Sequence, residues 1–128
     1  MNEIERIQAL SNAFGPSGFE DEVSTIAKNE LSEFDCVEDH LRNVRTTINP
    51  EGKGIKVMLD AHLDEVGMIV QAVKPNGTMK FLPIGGWMPT NFPSSPFRIK
   101  NKDGEYVKSI VTAKPPHFAS AAEKNAAP

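Results

Sequence analysis

The spacing of apolar residues in the first part of the chain predicts two short helices. Ile4, Ile7 and Leu10 recur at helical spacing over residues 3–13, with polar residues between them. The sequence Gly-Pro-Ser-Gly at residues 15–18 ends this helix. A second amphipathic pattern then continues to about residue 33, so we expect a pair of helices at the start of the fold.

The second helix has a candidate N-terminal cap. Ser17 and Glu20 have the S-x-x-E spacing of a capping box, in which the two side chains satisfy free backbone N–H groups. The acidic run 20–22 places negative charge in the first turn, where the helix dipole favours it. We therefore expect Ser17 to cap a helix. A nucleophilic role is not expected, because the chain lacks the G-x-S-x-G spacing here.

Three short strands are predicted after the helices, at residues 34–37, 44–48 and 55–61. The third is almost entirely apolar, which is typical of a strand covered on both faces. Two helices followed by strands, with an apolar strand at the centre, predict a layered α/β domain.

The chain becomes β-rich from about residue 70. Hairpins are predicted at residues 68–83 and 97–111, and Asn76-Gly77 suits the turn of the first because both residues tolerate positive φ. The Ala-rich and polar end, residues 119–128, is expected to be a flexible tail. The sequence therefore changes character between its two halves.

Composition narrows the class of protein. The 128 residues suit one ordinary domain, and 14 basic against 17 acidic residues give a net charge of −3. Without a basic stripe the chain does not resemble a nucleic-acid-binding protein. No apolar run is long enough to cross a membrane, and the charged N-terminus lacks a signal-peptide core. With Cys36 as its one cysteine, we expect a cytoplasmic protein.

The strongest candidate for chemistry follows the apolar strand. Residues 60–67 have the sequence Asp-Ala-His-Leu-Asp-Glu-Val-Gly. In an extended chain His62 and Asp64 point to the same side, because side chains alternate with a period of two. This is the arrangement of a metal-ligating histidine oriented by a carboxylate. The alternative is a histidine that is simply satisfied by local hydrogen bonds at the end of a strand.

Four segments form a collinear set of motifs: residues 10–23, 60–67, 84–87 (Ile-Gly-Gly-Trp) and 114–117 (Lys-Pro-Pro-His). Together they resemble the M42 family of metallo-aminopeptidases, which includes glutamyl and deblocking aminopeptidases. The resemblance implies an α/β zinc-peptidase domain interrupted by a β-rich, barrel-like dimerisation insert. We accordingly expect part of the catalytic domain at 1–69, part of the insert at 70–118 and the tail at 119–128.

The resemblance also implies a site and partners. His62 aligns with a metal ligand, and Asp64 with the catalytic-site carboxylate that orients it. The family uses two divalent metal ions, zinc or cobalt, to remove N-terminal residues from peptides, and its members form dimers and shells of up to twelve subunits. Its other ligands and its general-base glutamate follow the insert, so this chain is expected to hold one ligand and to be inactive alone. Glu65 is not expected to replace that base.

The chain departs from the family pattern in the turn 39–43, where Arg42 occupies a glycine position. A positive φ at an arginine costs about 1–2 kcal/mol. His40 and His117 are not expected to bind metal. Two other interpretations stay open: a non-catalytic truncated relative that acts as an oligomerisation or interaction module, and a product that folds poorly because its apolar strand lacks neighbours.

Overall fold

The computed structural model describes residues 1–88 and 91–121, and the chain divides into two compact units, Met1–Gly85 and a second that begins at Gly86. The helices are α1 (Glu3–Asn12) and α2 (Asp21–Glu30), with a short 3₁₀ helix at Pro116–Phe118. The strands are β1 (Val37–Glu38), β2 (Val44–Arg45), β3 (Gly67–Val73), β4 (Met79–Ile84), β5 (Pro96–Lys100) and β6 (Tyr106–Ile110). They form three two-stranded antiparallel sheets, so the described chain is a small α/β structure.

Both predicted helices are confirmed, with ends shifted by a few residues. α1 begins with a capping box between Asn2 and Glu5, in which each backbone N–H donates to the other side chain at 2.9 Å. Arg6 then joins the two helices through Glu30, at 2.6 Å from Nε to Oε2. Within residues 1–88 and 91–121, no helix is long and apolar enough to cross a membrane.

The capping box predicted for the second helix is wrong. The N-cap residue of α2 is Glu20, and no side chain caps this end. A turn intervenes, in which the Phe19 N–H donates to the Pro16 carbonyl at 2.8 Å and Gly18 has a φ of 89°. This turn delays the helix and directs Ser17 elsewhere, as described below. The S-x-x-E spacing is therefore compatible with a turn before the helix as well as with a capping box.

The predicted strand at 55–61 is not formed, whereas the two strands before it are shorter than expected. Ile55 is 95% exposed and Leu59 is 94% exposed, and Val57 and Met58 are also exposed. A strand requires a neighbouring strand for its backbone hydrogen bonds, and no described residue pairs with this segment. The apolar sequence is thus present without the sheet that it would occupy.

Both predicted hairpins are confirmed. β3 pairs with β4 around a bulge between Val70 and Ala72, and β5 pairs in regular register with β6. In the first turn only Gly77 has a positive φ, of 81°, whereas Asn76 instead accepts a bond from the Thr78 N–H at 3.1 Å. Both residues tolerate positive φ, and in this turn glycine alone adopts it.

The buried centre of the first unit is small and lies where α2 meets the preceding loop. Gly15 and Pro16 are buried, as are Val23 and Ser24 in the first turn of α2. A side chain at position 15 would come within 2.8 Å of Val23 Cγ1, so glycine permits this close approach. The same loop contacts the His62 motif, which places the best-packed part of this unit beside the candidate site.

Candidate metal-ligand site

The segment that carries His62 is fastened to the loop at residues 15–17. The Glu65 N–H donates to the Gly15 carbonyl at 2.8 Å, and the Gly15 N–H donates back to Glu65 Oε1 at 3.1 Å. Pro16 and Glu65 form an isolated parallel bridge. These contacts engage both the backbone and the side chain of Glu65. Its carboxylate therefore has a structural partner in the loop.

The imidazole of His62 is held from one side. Its Nδ1 lies 2.9 Å from the Asp64 carbonyl oxygen and 3.0 Å from Asp64 Oδ1. Because both of these atoms are acceptors, neutral His62 carries its proton on Nδ1. The side chain is 85% exposed, and within the part of the chain that the structure describes Nε2 has no hydrogen-bond partner. The lone pair of Nε2 is consequently available to an external electrophile.

Asp64 connects His62 to the N-terminal loop. Its Oδ1 contacts His62, and its Oδ2 accepts a hydrogen bond from the Ser17 hydroxyl. The bond from Ser17, followed by that from His62, holds the pKa of the Asp64 carboxyl below its usual value of 3.8. Asp64 is therefore ionised at neutral pH, and both of its carboxylate oxygens are free to accept hydrogen bonds.

A pocket of about 260 Å³ adjoins these residues. It is bounded by the His62–Glu65 segment on one side and by α1, the following loop and Val23 on the other. Leu10 and Val23 supply apolar surface, whereas His62 and Asp64 supply polar groups. The pocket therefore places His62 and Asp64 beside apolar surface, in an open cleft of small volume.

The described residues do not compose a complete metal centre. A catalytic zinc site uses about three protein ligands, and no group of three histidine, cysteine or acidic residues is suitably placed within 1–88 and 91–121. His117 belongs to the second unit, where its ring lies 4.5 Å from that of Phe118. His62 thus fits the role of one oriented ligand, and a full coordination shell requires groups from outside the described residues.

Ser17 is the residue that sequence reasoning assigned to the wrong partner. Its side chain donates to Asp64, 47 positions further along the chain. The available signal was the occurrence of Gly-Pro-Ser-Gly within the first of the four collinear motifs. A local capping pattern explained the serine without a distant partner, so the motif's connection to residues 60–67 went unrecognised.

Comparison with known proteins assigns the family. Residues 43–128 match the sequence profile described as M42 glutamyl aminopeptidase, which is well over half of the chain. The chain belongs to the M42 glutamyl aminopeptidase family. M42 aminopeptidases are metallopeptidases, and the match agrees with the resemblance of the four motifs. It also includes the segment that contains His62 and Asp64.

The similar M42 proteins are about three times as long as this chain. The glutamyl aminopeptidase of Lactococcus lactis subsp. cremoris (strain MG1363) is 28% identical over 121 residues, covering 92% of this chain and 34% of the relative. Aminopeptidase APDkam598 from the archaeon Desulfurococcus kamchatkensis superposes with a TM-score of 0.83 at 27% identity, covering 94% and 34%. PhTET1-12s, solved as a dodecamer, shares the fold with a TM-score of 0.77 at 24% identity, covering 94% and 36%. This chain therefore spans about a third of the relatives it matches.

Proposed function

We propose that this chain is the N-terminal part of the catalytic domain of a metal-dependent aminopeptidase, to which it contributes His62 as one metal ligand. The observation that carries the proposal is the fastening of Nδ1 by Asp64, which leaves Nε2 open. Nδ1 is engaged by the histidine's own segment, so Nε2 is the ring nitrogen that a metal ion could reach. Membership of the M42 family supports the same role.

Within this proposal the chain's own residues hold and orient the ligand. Two divalent metal ions, zinc or cobalt, would supply the Lewis-acid chemistry of peptide hydrolysis when bound. His62 would contact one of them through Nε2, and ionised Asp64 would keep the imidazole in the ligating tautomer. The remaining ligands and the general base would come from sequence equivalent to the other two-thirds of the relatives. The substrate class is a peptide with a free N-terminal residue.

The proposal extends to assembly and location. The antiparallel hairpins β3–β4 and β5–β6 support a β-rich dimerisation insert after the first catalytic segment. PhTET1-12s forms a dodecamer, and we propose that the complete protein is likewise a homo-oligomer. We further propose a cytoplasmic location, which agrees with a single cysteine in the chain.

The test begins with the intact mass of the protein from its source cells, compared with the 14.0 kDa of this chain. In a form that includes the remaining catalytic sequence, we expect aminopeptidase activity that chelators remove. His62→Ala should lower kcat/KM by about a thousandfold or more, because a metal ligand supports several kcal/mol of transition-state stabilisation. His40→Ala is the matched control and should leave activity unchanged. Activity that survives His62→Ala would refute the proposal.

A second candidate function rests on the exposed apolar segment at 55–59. Four exposed apolar side chains on unpaired backbone form a surface that favours association. On this hypothesis the chain is a non-catalytic module that assembles with other polypeptides. It predicts a folded oligomer without micromolar zinc affinity. Tight zinc binding that disappears in His62→Ala would favour the metallopeptidase role instead.

A further inference from the structure

The loop at residues 15–17 connects α1 to α2, and it also contacts the segment that carries His62. Gly15 exchanges two hydrogen bonds with Glu65, Pro16 bridges to the same residue, and Ser17 donates to Asp64. A loop needed only to connect α1 to α2 would not have to engage three successive residues with the ligand motif. The loop is also buried at Gly15 and Pro16, so it is a fixed support.

The contact of Ser17 has a direction that matters for His62. A serine hydroxyl donates one hydrogen bond, and here that bond goes to Oδ2 of Asp64. The other carboxylate oxygen, Oδ1, is then turned towards Nδ1 of His62 at 3.0 Å. Because Asp64 is only partly buried, its carboxylate would otherwise rotate between solvent and the imidazole. The Ser17 bond therefore holds Oδ2 away from the imidazole and leaves Oδ1 to accept from Nδ1, beside the Asp64 carbonyl oxygen at 2.9 Å.

We infer that Ser17 is a positioning residue of the metal-ligand site, which acts through Asp64 to hold neutral His62 in the tautomer that leaves Nε2 free. This inference rests on the proposed function for its purpose, since the tautomer matters because a metal ion would bind Nε2. It concerns the chain's own residues, however, and its test needs neither metal nor activity. Failure of the inference about Ser17 is therefore distinguishable from failure of the proposed metallopeptidase function.

The experiment measures the tautomer of His62 by ¹⁵N NMR of the imidazole nitrogens in the full 128-residue chain, at a pH where the ring is neutral. The chain has three histidines, so His40→Gln and His117→Gln variants assign the signals, and these two residues serve as internal references. In the unmodified chain we expect Nδ1–H to predominate at His62. Ser17→Ala should lower the ratio of Nδ1–H to Nε2–H by about fivefold, because a hydrogen bond to a charged group is lost.

Two variants separate positioning from general damage to the fold. Ser17→Thr keeps the hydroxyl and should restore most of the ratio. Ser11→Ala removes a hydroxyl that lines the pocket beside His62 and Asp64 but is not the donor to Asp64, and it should leave the ratio unchanged. The remaining amide spectrum reports whether Ser17→Ala is folded. If that variant unfolds, Ser17→Cys replaces the hydroxyl with a weak S–H donor of similar size and should also lower the ratio. A ratio equal to that of Ser17→Thr would overturn the inference.

A double-mutant cycle decides whether Ser17 acts through Asp64. In an Asp64→Ala background, Ser17→Ala should have no further effect on the tautomer ratio. An equal effect in both backgrounds would overturn the inference, because Ser17 would then influence His62 by another route. A ratio unaffected by Ser17→Ala in the folded chain would overturn it as well.

Discussion

Arg42 has a backbone conformation that normally favours glycine. Its φ is 69°, in a turn closed by the Arg42 N–H donating to the Asp39 carbonyl at 3.0 Å. The turn is further held by Asp39 Oδ1, which accepts from the backbone of Leu41 and of Asn43. The long side chain compensates in part, because it forms ion pairs with Asp21 at 2.6 Å and Glu38 at 2.9 Å. The position therefore combines backbone strain with surface electrostatics.

Replacing Arg42 should separate these two effects. Arg42→Gly relieves about 1–2 kcal/mol of backbone strain and loses two exposed ion pairs, which solvent screens. We expect the free energy of unfolding to change little, because these two effects oppose each other. Arg42→Ala is the control, since it loses the pairs and keeps the positive φ. It should be less stable than Arg42→Gly by about 1 kcal/mol in urea denaturation, and equal stability would contradict the strain.

Single residues were predictable where their role was local or carried by a family pattern. The glycine position in the 39–43 turn identified Arg42 in advance, and the side-chain period of two put His62 and Asp64 on one side. Ser17 was not predictable from local pattern, because its partner lies 47 residues away. A spacing rule describes neighbours on one element, and it contains no information on which distant segment a loop will contact.

The acidic residues around α2 predict how stability depends on pH. The hydrogen bond from Lys28, together with the charges of Lys28 and Arg42, holds the pKa of Glu38 below its usual value of 4.5. Since the folded state binds this proton less readily, the contribution of Glu38 is present above pH 4.5 and is lost as pH falls through the lowered pKa. Glu38→Gln should reduce the loss of stability between about pH 7 and pH 3 in urea titrations. An unchanged pH dependence would contradict this role.

At the scale of elements, the parts with local interactions were predictable and the central strand was not. Helices α1 and α2 follow from apolar spacing, and the β3–β4 hairpin follows from alternation around a turn that glycine closes. The segment at 55–61 has an equally clear strand pattern but does not form a strand. Its run of apolar residues is typical of a strand covered on both faces. Among the described residues, however, no neighbouring strand pairs with its backbone.

Gly67, at the start of β3, allows the strand to pack closely against the loop beside the candidate site. A Cβ at Gly67 would come within 2.5 Å of Pro16 Cβ, so the strand and the loop approach more closely than any side chain allows. Gly67→Ala should move Pro16 and weaken the adjacent Ser17–Asp64 bond, and we expect destabilisation of about 1–3 kcal/mol. Gly54→Ala is the control, because a Cβ there meets nothing within 4 Å. Equal losses in thermal unfolding would contradict the close packing.

At the scale of the whole molecule, the exposed segment at 55–59 determines how the chain behaves by itself. Its apolar side chains and unpaired backbone groups resemble an exposed sheet strand, which templates association. Under the proposed function, the remaining catalytic sequence would cover it. The same residues should therefore favour aggregation in this chain and stability in a complete catalytic domain.

Charged substitutions in this segment should have opposite effects in the two settings. Val57 and Leu59 lie on the same side of an extended chain, so Val57→Lys with Leu59→Lys should raise the fraction of this chain that sediments as monomer. In a complete catalytic domain the pair should instead prevent folding, because two charges would be buried. Val107→Lys in β6 is the control for a general solubility effect. If it raises the monomer fraction as much, the segment has no special role.

The sequence separation between Ser17 and Asp64 determines when the candidate site can form during folding. A peptide of residues 60–67 contains His62 and Asp64, but it lacks the Ser17 hydroxyl that holds the Asp64 carboxylate. The bond exists only after a loop of 47 residues has closed, at an entropic cost that a nascent or unfolded chain has not yet met. Under the role proposed for His62, an unfolded chain would compete poorly for scarce divalent ions, and capture of metal would follow formation of the Ser17–Asp64 bond.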